Sequence, residues 1–203
     1  MPRLAVLVWL SLLAACAVGD GGERETVERK ELEHVVLQPA DVPAVFERFD
    51  TGRLLRTDQP GAGERVDPAR FGREEGWKAR YKRPGMQETR GPLVIESRVD
   101  LFEDEGGAEQ ELAAHREELE RGVSPETAVE SLEDAALGDE AFSVTFLQPG
   151  AMRDVRIYMV AWREANVTAG VLVNGFEGKL TLEQTLDLAR KQQLRIARAA
   201  ESP

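Results

Sequence analysis

The sequence predicts an α+β domain in which an antiparallel sheet of about five strands carries helices on one face. Three observations predict this class. Segments of alternating apolar and polar residues come in pairs that are joined by turn residues, as in antiparallel hairpins. Two of the pairs lead into long segments whose apolar residues have helical spacing. The chain has 203 residues, 42% of them hydrophobic, which is enough for one domain with a substantial core.

Residues 1–15 have the layout of a secretory signal, because Arg3 precedes an apolar run over 4–15 and the chain turns polar after Cys16. A helix of that length spans about 18 Å, short of a hydrocarbon core of about 30 Å. The segment 13–16, "LAAC", resembles the bacterial lipobox, in which the cysteine receives a diacylglyceryl group and the signal is cut before it. The resemblance implies a lipid anchor on Cys16 at the extracytoplasmic face of the cell membrane. The alternative is an ordinary signal peptide that contains a cysteine.

The next segment, 16–34, is predicted to be the lipidated N-terminus and a flexible tether, because it is rich in glycine and charge. The alternative is a helix over 23–34 without an apolar stripe. The folded domain is predicted to span 35–203. A short helix is expected to open it, with Asp41 as N-cap and Pro43 in the first turn. Its apolar face would be Val42, Val45, Phe46 and Phe49.

Residues 50–76 are predicted to be mostly loop, with one helical turn at Pro68–Phe71. Two alternating strands follow, over 76–82 and 92–103, joined by a longer hairpin loop. The segment 104–122 then changes to helical spacing. Its apolar stripe is Ala108, Leu112, His115 and Leu119, and Gly122 ends it.

The second half predicts three strands, over 140–148, 154–164 and 166–175. The last two form a tight hairpin and carry apolar residues on both faces, so we expect them to be covered on both sides. A final helix begins at Thr181, which forms a capping box with Gln184. Each half therefore contains a hairpin followed by a helix, and this similarity suggests two repeated hairpin–helix halves.

Several residues of the second half resemble a pattern found in bacterial lipoproteins and extracytoplasmic domains, including the sensor-domain group of mycobacterial serine/threonine kinases. The opening of the pattern matches Leu137, Gly138, Asp139, Glu140 and Ala141, and its hairpin matches Trp162, Arg163, Asn166 and Val167. The segment 37–46 is similar to the short leading helix of these proteins. The resemblance implies an antiparallel sheet with helices on one face and a sensing or ligand-binding role, and it brings no catalytic residues. This chain lacks the cysteine pairs that some of these sensor domains have.

Composition excludes several functions. A formal net charge of −11 argues against nucleic acid as a partner and against binding to a bilayer by a polybasic surface. The membrane is therefore expected as a partner only through the N-terminal lipid. One cysteine and two histidines leave no disulfide, no zinc site and no Ser-His-Asp triad. We predict no catalytic residue, no metal and no cofactor. His115 is either a ligand or proton carrier or a histidine at the edge of its helix.

Six residues are candidates for ligand binding, because partly exposed aromatic rings near cations can hold an acyl chain, a glycan or a peptide. They are Trp77, Arg80, Tyr81, Arg98, Tyr158 and Trp162. The alternative is that they pack in the core or at the sheet edge. The predicted function is a lipid-anchored, non-catalytic binding or sensor-type domain with a small-molecule, lipid or protein ligand. Two alternatives are a lipid or small-molecule carrier with an apolar cavity, and a cell-envelope hydrolase with a carboxylate of unusual pKa.

Overall fold

Seven antiparallel strands form one sheet, in the order β1-β2-β3-β7-β6-β5-β4. The computed structural model describes residues 26–58, 65–122, 127–133, 135–151 and 153–201. The strands are β1 (Glu47–Leu55), β2 (Arg73–Lys82), β3 (Val94–Phe102), β4 (Val129–Ser131), β5 (Glu140–Gln148), β6 (Val155–Glu164) and β7 (Val167–Phe176). The α-helices are α1 (Leu32–Val35), α2 (Glu105–Glu120) and α3 (Leu182–Ala200), and short 3-10 turns cover Arg29–Glu31 and Pro68–Phe71.

The helices cover both faces of the sheet, so the prediction of helices on one face is wrong. Helices α1 and α3 pack on one face, over a core that includes Ile95, Trp162 and Val171. Helix α2 packs on the other face, where Leu112 contacts a cluster that includes Phe142. The reason is that β6 and β7 are apolar on both sides, and each apolar side needs its own cover. The double-sided burial expected for these two strands is confirmed.

The sheet has seven strands instead of about five, because both edge strands escaped prediction. Strand β1 begins in the predicted short helix and continues into the segment 50–76 that was predicted to be mostly loop, and all of its residues are exposed or half-buried. Strand β4 has only three residues, and two of them are exposed. Edge strands can stay this polar because one of their sides has no partner strand. The predicted helical turn at Pro68–Phe71 is confirmed.

The N-terminal part of the domain differs from the prediction. No helix begins at Asp41, because its carboxylate accepts from the Gln38 backbone N–H at 2.7 Å and closes a turn. The same carboxylate accepts from Arg195 Nε at 2.7 Å, which ties the turn to α3. The short helix is instead Leu32–Val35, inside the predicted tether. Since Val27 is also buried, the packed domain extends back to that residue and beyond the predicted boundary at 35.

The two long helices are confirmed, together with the predicted end of α2 at Gly122 and the predicted capping box of α3. The Asp104 carboxylate accepts from the Gly107 N–H at 2.8 Å at the start of α2, and Gly122 ends that helix with a φ of 99°. Thr181 and Gln184 form the expected capping box at the start of α3. In each half of the chain a hairpin is followed by a long helix, but the two helices, α2 and α3, lie on opposite faces of the sheet.

The motif around Gly138 has a structural explanation. Gly138 has a φ of 53°, and a Cβ there would lie 2.0 Å from the Arg163 carbonyl oxygen. The next residue, Asp139, donates its N–H to that oxygen at 2.8 Å and accepts from the Ala165 N–H at 3.0 Å. The Asn166 side chain accepts from the Val27 N–H at 3.1 Å. These residues therefore hold the β6–β7 turn, where the positive φ of 45° belongs to Ala165.

Candidate functional site

A cavity of about 310 Å³ lies between the sheet and α2. Strand pairing puts the residues of its floor in rows across the sheet, and residues paired across neighbouring strands point to the same face. In one row Arg98 pairs with Gly170, which pairs with Ala161. In the next, Glu96 pairs with Leu172, which pairs with Met159. The charged residues thus stand on β2 and β3 and the apolar ones on β7, β6 and β5, so the cavity has a charged side and an apolar side.

Small residues in the floor leave room for this cavity. Gly170 lies beside Arg98 on one strand and Ala161 on the other. A Cβ built on Gly170 would meet only the Val160 carbonyl oxygen, at 3.7 Å, which is ordinary van der Waals contact. The apolar side of the wall is formed by Leu119, Phe146, Met159 and Leu172.

Asp100 is the centre of the charged side and is 1% exposed. Arg98 donates Nε to Oδ2 at 2.7 Å and Nη2 to Oδ1 at 3.2 Å. Arg73 and Arg65 each donate one Nη1–H, both at 3.2 Å. Burial on its own would raise the pKa of Asp100, but these three guanidinium groups outweigh it and hold that pKa well below its ordinary value. Asp100 is therefore a firmly ionised carboxylate.

Gly76 on β2 leaves space for the Asp100 carboxylate. A Cβ on Gly76 would lie 2.5 Å from Asp100 Oδ1 and 2.7 Å from the Val99 carbonyl oxygen. Any larger residue would push the carboxylate away from β2, so the close approach requires glycine.

Helix α2 adds a second buried carboxylate, that of Glu111. Glu111 is 1% exposed, and its Oε1 accepts from Arg65 Nη2. Its other oxygen, Oε2, has no hydrogen-bond partner among the described residues, and neither has Arg65 Nε. Buried polar atoms usually have a partner. Two unmatched groups of opposite kind, an acceptor and a donor, therefore belong to residues that line the cavity.

His115 lies one helical turn beyond Glu111 and is 8% exposed. The edge of its ring meets Phe142, with 5.5 Å between the ring centres. Burial, and then the guanidinium groups of Arg65 and Arg98, lower the pKa of His115 well below its ordinary value. The imidazole is therefore neutral at neutral pH.

Arg80 lies where the cavity meets solvent, with 38% of its side chain exposed. Its Nε is 2.9 Å from Glu96 Oε2, and its Nη1 is 3.7 Å from Asp50 Oδ2. Its guanidinium also lies over the ring of Phe49, 5.1 Å from the ring centre. Exposed pairs of this kind contribute little to stability, so Arg80 is the arginine of the cluster that can most easily move.

The charges of the cluster do not balance. Its cations are Arg65, Arg73, Arg80 and Arg98, and its anions are Glu96, Asp100 and Glu111. The neighbouring Lys78–Asp50 pair adds one charge of each sign. The cluster therefore carries one net positive charge. Within the described ranges, no group of three or more His, Cys, Asp or Glu residues is placed to hold a metal ion.

The structure separates the six candidate ligand residues into two groups. Arg80 and Arg98 line the cavity. The aromatic residues belong to the core on the opposite face, where Trp162 is fully buried and Tyr81 donates its hydroxyl to the Leu37 carbonyl oxygen at 2.7 Å. Trp77 and Tyr158 pack against the same core. No single site in the described structure brings the six residues together.

Sequence reasoning missed Arg65, Asp100 and Glu111. Two signals could have found the carboxylates. Glu111 lies next to Leu112 on the stripe of α2 that was predicted to be buried, so its charge needed a partner. Asp100 and Arg98 share the polar side of β3, where two opposite charges two residues apart could have indicated an ion pair. Arg65 offered no such signal, because it belongs to a segment without periodicity.

The structure thus defines the chain as an α+β domain with a seven-stranded antiparallel sheet covered on both faces and a charged cavity under one helix. Among solved structures it is similar to the extracellular domain of PknH from Mycobacterium tuberculosis, with a TM-score of 0.65 and 14% identity. That similarity covers 86% of this chain and 99% of the other. At this identity it shows the fold, and it agrees with the resemblance to extracytoplasmic sensor-type domains.

No protein-family model matches the chain, and no curated protein matches it. In the part of the chain that the structure describes, no helix is both long and apolar enough to cross a membrane.

Proposed function

We propose that this chain is a non-catalytic, extracytoplasmic domain that binds a small ligand in the cavity between the sheet and α2. The observation that carries the proposal is the cavity itself, which has arginines of a buried charged cluster, Arg80 and Arg98, on one side and apolar side chains on the other. A ligand with a polar group and an apolar part would match both sides. The fold shared with an extracellular domain supports the extracytoplasmic location.

The cavity favours binding over hydrolysis. A carboxylate that acts as a general acid needs a raised pKa. Asp100 has the opposite shift, and both of its oxygens are occupied by arginine donors. The charge of Asp100 holds arginines in place and does not supply a proton.

A carrier of lipids or small molecules is a second candidate, favoured by the apolar side of the cavity. The volume of about 310 Å³ is at the lower end of the range for small-ligand sites, about 300 to 1,000 Å³. A single short chain fits this size better than a two-chain lipid. A carrier would move its ligand between vesicles, whereas a binding module would retain it, so a transfer assay separates the two.

Native mass spectrometry of a chain that starts at residue 17 tests the binding proposal, since every described element lies within 26–201. This chain is fused to a cleavable export signal that replaces residues 1–16, and it is purified from the extracytoplasmic fraction of its source organism. We expect a bound small molecule at one copy per chain, and we expect its loss in Gly170→Val, which fills the floor of the cavity. The matched control is Gly52→Val on β1, where a Cβ would meet nothing within 4 Å. Equal occupancy in both variants would contradict the cavity site.

The membrane anchor is a separate proposal that rests on Cys16, which lies outside the described residues. We expect the full-length chain to be found in the membrane fraction with an acylated cysteine, because two acyl chains give stable anchoring. Cys16→Ser should remove the acyl mass and release the protein from that fraction, while Ala17→Ser should change neither. Membrane retention of Cys16→Ser without acyl mass would defeat the lipid anchor.

A further inference from the structure

We infer that the ligand of this cavity is a singly charged anion, a carboxylate or similar acceptor group on a short apolar chain. The inference rests on the proposed function and names its ligand class. It draws on three features: the net charge of the cluster beside the cavity, an arginine donor on the charged side of the cavity, and the apolar wall.

The net charge favours an anion. The lining of the cavity has three guanidinium groups and three carboxylates, and Arg73, which contacts Asp100 without lining the cavity, adds a fourth guanidinium. With His115 neutral, the cluster beside the cavity has one positive charge more than its carboxylates compensate. A buried charge is costly without a counter-charge. One negative charge on the ligand would neutralise the cluster, while a cation would double the imbalance.

The unmatched donors favour an acceptor group. Arg98 uses Nε and Nη2 on Asp100, and no bond of its Nη1 to another described residue is present. Arg65 uses both Nη atoms on carboxylates, and its Nε is buried without a partner. A carboxylate accepts from such guanidinium edges with good geometry. Arg65 Nε is closed off from the cavity, so the donor that the cavity offers is Arg98 Nη1, on an arginine held in a fixed position by Asp100.

Glu111 limits how much negative charge the site can take. Its Oε2 belongs to a residue that lines the same cavity and would repel a second negative charge on the ligand. The site is therefore suited to a monoanion better than to a phosphate-like dianion.

The wall opposite the arginines fits the apolar part of such a ligand. Leu172, Met159 and Phe146 form that wall on β7, β6 and β5, which are one, two and three strands away from β3, and Leu119 adds to it from α2. A chain of a few carbons that extends from the arginines over Gly170 would reach these side chains. The volume of about 310 Å³ suits one short tail better than two acyl chains.

Three probes with one tail and different head groups test the inference: octanoate, 1-octanol and octylammonium. Each is titrated into the chain that starts at residue 17 and followed by NMR shifts of the cavity residues. We expect octanoate to bind at least about tenfold more tightly than 1-octanol, because of the charge pairing with the arginines. We expect octylammonium to bind most weakly.

Glu111→Gln provides the decisive variant, because the glutamine oxygen still accepts from Arg65 while one negative charge is lost. Octanoate affinity should rise by about tenfold and 1-octanol affinity should stay unchanged. The matched control is Glu117→Gln on the exposed side of the same helix, where 72% of the side chain is exposed. That variant should leave all three affinities unchanged. Gly170→Val should abolish binding of every probe.

The outcomes separate the two proposals. Tighter binding of 1-octanol or octylammonium that Gly170→Val abolishes would overturn the anionic ligand class and leave the cavity as the binding site. Binding that Gly170→Val leaves intact would overturn the cavity site itself. A wild-type chain that binds none of the probes would overturn the ligand class, and the native mass measurement would then test the cavity alone.

Discussion

Arg98 and Asp100 stand two residues apart on one face of β3 and meet side by side, with Nε 2.7 Å from Oδ2 and Nη2 3.2 Å from Oδ1. Through Asp100 this pair is joined to Arg73, and through Arg65 to Glu111 on α2. The same contacts hold the helix over the sheet and shape the charged side of the cavity. Stability and the proposed binding therefore depend on one network.

Asp100→Asn should lower the free energy of unfolding by about 3 to 5 kcal/mol, because it leaves buried guanidinium groups without a counter-charge. The control is Asp50→Asn. Asp50 pairs with Lys78 at 2.8 Å, and both side chains are 32% exposed, so its loss should cost less than about 1 kcal/mol. Urea unfolding measures both values. Similar losses in the two variants would show that the buried network adds no particular stability.

Gly138→Ala should destabilise the domain more than Gly178→Ala. Both glycines have a positive φ, 53° and 71°, which costs an alanine about 1 to 2 kcal/mol. Only at Gly138 would the new Cβ also clash, at 2.0 Å from the Arg163 carbonyl oxygen. Thermal unfolding of the two variants isolates the contribution of this clash. Equal melting temperatures would contradict the described approach of Gly138 to β6.

His115 should make stability depend on pH. Because burial lowers its pKa in the folded state, the unfolded chain binds its proton first, at a pKa of about 6.5. Above about pH 6.5 the neutral ring makes its full contribution to the free energy of unfolding. Below that pH the free energy of unfolding falls by up to about 1.4 kcal/mol for each pH unit.

His115→Gln should remove this part of the slope between about pH 7 and pH 5. The matched variant is His34→Gln, at the other histidine, which is exposed on α1 and should keep the slope. Urea unfolding at a series of pH values measures both. If the pH dependence of the free energy of unfolding were unchanged in His115→Gln, another titratable group would be its cause.

Asn166→Ala should release the N-terminal segment. The Asn166 side chain accepts from the Val27 N–H at 3.1 Å and donates to the Val27 carbonyl oxygen at 3.3 Å. Loss of these bonds should cost about 1 to 2 kcal/mol and speed hydrogen exchange over residues 27–36. Asn174→Ala removes a comparable bond, to the Val94 N–H at 3.1 Å, and should leave exchange over 27–36 unchanged.

Much of the fold followed from local patterns. Helices α2 and α3 were predicted with their caps, because the apolar spacing and the capping residues act within a few positions of the chain. The central strands were predicted because they are rich in alternating or continuous apolar residues. Strand β1 was missed because an edge strand needs no apolar pattern of its own, and α1 because its four residues are too short to show a period.

The candidate site was predicted much less well. Arg80 and Arg98 were named and do line the cavity, but they were grouped with aromatic residues of the other face. Alternation along β3 shows that Arg98 and Asp100 share a face, and it cannot show that a helix covers that face. The polar side of a strand has the same pattern whether it meets water or a buried network of charges.

Local spacing in the amino-acid sequence therefore decided the class of the domain, its long helices and the strands at the centre of its sheet, since these depend on neighbours in the chain. Contacts between distant segments decided the strand order, the placement of α2 opposite α3, and the pairing of Arg65, Asp100 and Glu111. The physical reason is that a charge becomes buried only through what packs over it. In this protein that cover comes from α2 and from the segment around Arg65.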